Sequence, residues 1–130
     1  MWSNEETICF HPIGYVESEI DETLSPDKIK AVDAHIVIEP DLADGLHGLE
    51  AGQKLMVVFY FNRSQGFKLF QHPRGDRSRP VRGVFALHSP RRPNPIGVTI
   101  VNLAAIDGNV LRVQNLDAIN GTPVLDIKLV

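Results

Sequence analysis

Residues 88–97 read HSPRRPNPIG and place two adjacent guanidinium groups, Arg91 and Arg92, on a spacer with three prolines. Proline fixes φ and biases the residue before it toward extended backbone, so the spacer is stiff before any tertiary contact forms. Guanidinium groups make bidentate contacts to phosphate and stack on bases. Arg63, Lys68, Arg74, Arg77, Arg79 and Arg82 precede the pair, and with only Asp76 opposing them residues 63–92 carry a charge of +7. Residues 1–50 are the opposite, with twelve acids against Lys28 and Lys30, a charge of −10. The basic segment suits an anionic partner such as RNA although the whole chain sums to −3. The competing reading is that the two segments pair with each other or are simply solvated.

Other chemistries find little footing. The five histidines, His11, His35, His47, His72 and His88, show no HxH, HxxxH or HExxH spacing, and Cys9 is alone, so no metal site is expected. Ser89 lies between His88 and Pro90 and not in a nucleophile elbow. Gly45, Gly48 and Gly52 follow neither the dinucleotide nor the P-loop spacing. Three polar segments at strand ends are left: FNR at 61–63, HSPRRPNPIGV at 88–98, and LDAINGTPVLDIK at 116–128. Sites on β-rich folds are commonly assembled at such ends.

The elements that would position these segments are mostly strands. Ile8–Val16 reads as a bent or edge strand broken at Pro12 and Gly14. Ser25-Pro26-Asp27 reads as a turn or short helix start, and 40–50 as a helical turn or two. His35–Glu39 is a short β-branched strand. Leu55–Phe61 (LMVVFYF) is apolar on both faces and predicts a central strand buried on both sides. Residues 62–82 lack any period. Arg82–Leu87, Val98–Ile106, Val110–Leu116 and Val124–Val130 read as further strands, with a hairpin turn at Asp107-Gly108-Asn109. Val98–Ile106 is apolar on alternate positions of both faces, one for the core and the other for a subunit interface or for further burial within the chain. The expectation is a mainly β fold, a single-sheet barrel of about seven strands with one or two short helices, in one domain spanning 1–130. No apolar run approaches the roughly 18–20 residues of a membrane span, and Glu5 and Glu6 stand where a signal peptide carries positive charge. With its lone cysteine the chain is expected in the cytoplasm.

Taken together, PIGYVES (12–18), HGLEAGQKLMVVFYFNR (47–63), RGVFALHSPRRPNPIGV (82–98) and LDAINGTPVLDIK resemble the TsaA-like family, whose best-understood members are tRNA methyltransferase O enzymes. The strings SPxRPNPIG and GTPVLDIK, in order and separated by strands, are the specific part of the match. The resemblance implies a β-barrel that binds S-adenosylmethionine (SAM), works as a homodimer and N6-methylates threonylcarbamoyladenosine beside the tRNA anticodon. Carried over position by position, it implies a cofactor site of Asn62, Arg63, His88, Val98, Gln114, Asn115, Leu116 and Asp117. It also implies that Arg92, Asn94, Asn120 and Thr122 hold the loops or face substrate. Asn94 and Asn120 have the plainer alternative of shaping turns. Arg91, Arg92 and the arginines of 74–82 are assigned to RNA, because a cationic sulfonium would repel them. His88 is the candidate general base, since an imidazole titrates near neutrality.

The chain departs from the family pattern at His88, usually arginine, at Asn120, usually aspartate, and in having SPDKIK near the place of a Pro-Arg-Gln stretch. Fuller members also carry a C-terminal extension beyond the position of Val130. Two other functions therefore stay open: SAM-dependent methylation of another, small-molecule acceptor, and a non-catalytic RNA- or ligand-binding barrel.

Overall fold

The structure is a computed structural model and describes residues 5–22 and 24–130. Its strands are β1 (Gly14–Glu17), β2 (Ala34–Ile38), β3 (Lys54–Tyr60), β4 (Phe70–Gln71), β5 (Arg82–Gly83), β6 (Ile96–Asp107), β7 (Val110–Gln114) and β8 (Pro123–Leu129). One short helix, α1 (Pro26–Lys30), joins β1 to β2. Six strands close into an antiparallel barrel in the order β1-β2-β7-β6-β3-β8, while β4 and β5 form a separate two-stranded ribbon. The expected barrel is therefore present, with the ribbon as an arm between β3 and β6.

Alternation builds the core. Leu55, Val57 and Phe59 of β3 face inward opposite Val101, Thr99 and Gly97 of β6, and Val16, Ile36, Leu103, Leu111, Val113 and Val124 are among the residues that pack with them. The outward residues of the same two strands are also apolar and pair across the ladder as Met56 with Ile100, Val58 with Val98 and Tyr60 with Ile96. Tyr60, Val98 and Ile100 remain 39–44% exposed. The expectation that β3 is buried on both sides is thus corrected: within one chain no layer covers that face.

Two other strand expectations change. Residues 5–13 form no strand; Pro12 cannot donate to a ladder, and although Ile13 donates to the Val124 carbonyl and accepts from the Glu39 amide (both 2.8 Å), the regular ladder starts at Gly14. There a Cβ would lie 2.3 Å from the Val37 carbonyl oxygen, so glycine permits the close β1–β2 approach. Arg82–Leu87 yields only Arg82–Gly83, which pairs with Phe70–Gln71, before the chain coils into a 3₁₀ turn at Val84–Ala86. Its apolar pattern resembles a strand, but Val84 alone of that turn is buried.

Candidate functional site

β3 delivers the first segment to one rim of the barrel. The Phe61 amide donates to the Pro95 carbonyl (2.8 Å) and Asn62 folds back onto Tyr60, so Asn62 and Arg63 leave the strand exposed and beside the start of β6. The proline-rich loop is braced against this segment. Ser64 Oγ donates to the Pro90 carbonyl (2.9 Å), and Gln71 Nε2 donates to the Arg91 carbonyl (2.7 Å). Arg92 is half-buried and donates Nη1 to the carbonyls of Leu87 (2.8 Å) and Ser89 (3.2 Å). The two adjacent arginines therefore differ: Arg92 holds the loop's shape, while the Arg91 side chain stands exposed.

The third segment leaves β7 and runs beside β6. Pairing with β6 ends at Gln114 opposite Asn102, and Asn115 turns away in the left-handed region (φ 72°), a conformation asparagine tolerates. Asn115 Nδ2 donates to the Ile100 carbonyl (3.2 Å). Alternate residues of a strand direct their backbone groups to the same neighbour, so Val98 turns its N–H and C=O toward this side, where no strand follows. Leu116 and Ala118 are buried and pin the segment, which leaves Asp117 between them half-buried.

Asp117 is the electrostatic centre of the rim. Loss of water around its carboxyl raises its pKa above the ordinary carboxylate value; Lys30, Arg74 and His88 partly offset this, and Asp27 adds to it. α1 thus brings Asp27 and Lys30 to the site, and Arg74 reaches in from the arm to pair with Asp27 at 3.7 Å. Arg63 Nη1 donates to the Asp21 carbonyl. The acidic first segment and the basic segment meet through these contacts.

Asn120 and Thr122 lie beneath the rim and act on the backbone. Asn120 Oδ1 accepts from the Ser18 amide (3.1 Å) and its own amide donates to Ile20. Gly121 (φ 84°) donates to Val16, and Thr122 Oγ1, buried, donates to Ile119 (2.7 Å). These bonds fasten the closing turn to the exit of β1. Asn120→Asp keeps the acceptor oxygen and is expected to leave thermal stability near that of the parent chain. Asn120→Ala leaves the Ser18 amide without this partner and should cost about 1 kcal/mol, measured by denaturant unfolding.

The structure thus sets Asn62 and Arg63 beside the proline-rich loop, His88 of that loop within electrostatic reach of Asp117, and Asn115 against Ile100, two residues from Val98, whereas Asn94 is exposed and contributes its carbonyl to the Ile96 amide. Sequence reasoning did not select Asp27 and Lys30; SPDKIK was their only trace. A cavity of about 360 Å³ under the turn at 40–46 is lined by Ile13, Leu46, Ile127 and neighbours and includes none of these residues. Among the described residues no group of three His, Cys, Asp or Glu side chains is arranged to hold a metal ion.

Comparison with known proteins places these features. Residues 18–129 match the family model of the tRNA-methyltransferase O N-terminal domain. A probable S-adenosyl-L-methionine-binding protein of Methanocaldococcus jannaschii is 36% identical over 122 residues, covering 91% of this chain and 88% of that protein. The Escherichia coli tRNA (adenine(37)-N6)-methyltransferase is 33% identical over 131 residues, covering 92% of this chain and 56% of the enzyme. The crystal structure of TrmO from Pseudomonas aeruginosa superposes with a TM-score of 0.76 at 28% identity, over 99% of this chain and 57% of that one. The chain spans little more than half the length of those last two proteins.

Proposed function

The chain belongs to the tRNA-methyltransferase O family through that family's N-terminal domain, and from that premise we propose that it is a SAM-dependent tRNA methyltransferase acting on N6 of threonylcarbamoyladenosine beside the anticodon. The observation that supports this reading is the approach of His88 of HSPRRPNPIG, α1 and Arg74 of the arm to half-buried Asp117 of QNLD, with the segment after FNR braced against the same loop.

The residues present fit the cofactor. The free edge of β6 at Val98 offers N–H and C=O groups to a nucleoside, and Asn62, Gln114 and Asn115 offer amides. Leu116 closes the floor, and Asp117 offers a carboxylate to a cation. When bound, SAM supplies an electrophilic methyl group on a sulfonium. The chain's own part is to orient: in-line displacement gains most from positioning, and the braced loop supplies a rigid wall. His88, exposed and within electrostatic reach of Asp117, is the candidate to accept the N6 proton.

The outward ladder Met56–Ile100, Val58–Val98, Tyr60–Ile96 supports a homodimer whose partner covers that face beside the rim. Among the described residues no helix is long and apolar enough to cross a membrane, and a tRNA substrate agrees with a cytoplasmic protein.

The test is calorimetric titration with SAM, followed by transfer of labelled methyl to tRNA. Saturable binding at about one ligand per chain is expected, with label entering tRNA that carries threonylcarbamoyladenosine and not tRNA lacking it. Binding without transfer to tRNA would move the reading to another acceptor. No binding with or without tRNA would overturn it.

A further inference from the structure

The arm between β3 and β6 exposes Phe85 (79%) and Phe70 (73%), the two most exposed large apolar side chains among the described residues. Folding usually hides such rings. Phe70 stands opposite Gly83 in the ribbon, and a Cβ built on Gly83 would meet nothing within 4 Å. The Phe70 ring therefore does not fold over its glycine partner. Neither ring stacks on another among the described residues.

The surroundings of the rings identify what would cover them. Lys68, Arg77, Arg79, Arg82 and Arg91 are all exposed, and none makes an ion pair or side-chain hydrogen bond among the described residues. A surface meant for another protein's apolar core would be poor in charge at its centre. Open aromatic faces interleaved with unpaired cations instead match unstacked bases on a phosphate backbone, where rings stack and cations neutralise. An ion pair, Arg74 with Asp27, ties the arm to the elements around Asp117, so nucleotides lying on the arm lead toward the rim.

We propose that Phe70 and Phe85 are stacking platforms for unpaired bases of the RNA substrate, flanking the nucleotide presented to the rim. The role rests on the tRNA reading above and adds the residues that hold the loop. Their exposure means that replacing them leaves the fold intact.

The experiment is fluorescence anisotropy of a labelled anticodon stem-loop RNA with the full chain, in parallel with a duplex of the same stem. Phe70→Ala and Phe85→Ala should each weaken stem-loop binding about tenfold and leave the duplex unchanged. Phe→Leu at either site should weaken it similarly, and Phe→Tyr should restore it. The slope of affinity against salt should stay that of the parent chain, whereas Arg91→Ala should reduce it by about one. Alanine or leucine variants that bind like the parent chain would overturn the stacking role. Weaker self-association in sedimentation with unchanged RNA binding would also overturn it, assigning the arm to a second copy. A parent chain that binds neither RNA would overturn the tRNA reading, and the stacking role with it.

Discussion

Replacing Asp117 with asparagine is expected to weaken SAM binding roughly ten- to a hundredfold while S-adenosylhomocysteine loses no more than about threefold. The two ligands share the nucleoside and the amino acid and differ at sulfur, cationic in one and neutral in the other. A carboxylate facing the sulfonium distinguishes them; a carboxylate facing ribose or the amino group does not, and equal losses would move Asp117 to such a role. The same substitution should raise the melting temperature at neutral pH. Burial raises the Asp117 pKa, so the stability tied to its protonated form is complete below the ordinary carboxylate value and is lost as pH rises through the raised one. The variant escapes that loss. Its advantage should vanish in acid, where the parent carboxyl is protonated, and appear as pH climbs past the folded-state pKa. SAM affinity of the parent chain should move the other way, falling as acid neutralises the carboxylate. A variant that both loses ligand and loses stability at pH 7 would show Asp117 to be a structural group.

What the sequence made legible follows from the range of the forces involved. Alternation is local, so Leu55, Val57 and Phe59, or Val101 and Leu103, declare an inward face within a few residues. Gly108-Asn109 declares its hairpin for the same reason. The ribbon was not legible: Phe70-Gln71 becomes a strand only because Arg82-Gly83 returns to it, and neither dipeptide has a period. Residues 8–12 look like the start of β1, but the backbone bonds to β8 and to the end of β2 begin only at Ile13 among the described residues. The rim itself has no generic signature. Asn62, Arg63 and 114–117 were reachable through resemblance, because nothing in their spacing announces that β3 and β7 flank β6, one ending opposite Ile96 and the other opposite Asn102. Asp27 and Lys30 were hidden more deeply. They act on Asp117 across some 90 residues of chain, through packing that no local pattern encodes. The bland assignment of charge pairing was half right, since Arg74 does meet Asp27, yet the same pair connects the arm to the site.

Gly97→Ala is expected to be among the most damaging small substitutions in the chain, at about 3 kcal/mol, near the upper end for overpacking. Gly97 faces the core beneath two rings: a Cβ there would lie 2.6 Å from the Phe59 ring and 2.7 Å from that of Phe61. The rings themselves pack edge to face, with centroids 5.2 Å apart at 76°. Phe59 is 1% exposed and has nowhere to go, so Phe61, partly buried at the strand's end, must yield. Phe61 immediately precedes Asn62 and Arg63. Displacing it therefore disturbs the rim as well as the core, and SAM affinity should fall along with a melting temperature lowered by roughly 10 °C. The Ile-Gly that closes HSPRRPNPIG is thus a packing requirement: the stiff loop must feed into β6 with no side chain where the aromatic pair sits. Gly83→Ala provides the contrast, because its φ of −65° suits any residue and its Cβ would meet nothing, so its effect should stay within about 0.5 kcal/mol. Adding Phe61→Leu to Gly97→Ala should recover part of the lost stability and not all, since Phe59 remains in the way. A double-mutant cycle by denaturant unfolding would show coupling between positions 61 and 97 of about 1 kcal/mol. Strict additivity would mean that the clash is relieved by backbone movement of β6, and that the aromatic pair does not depend on this glycine.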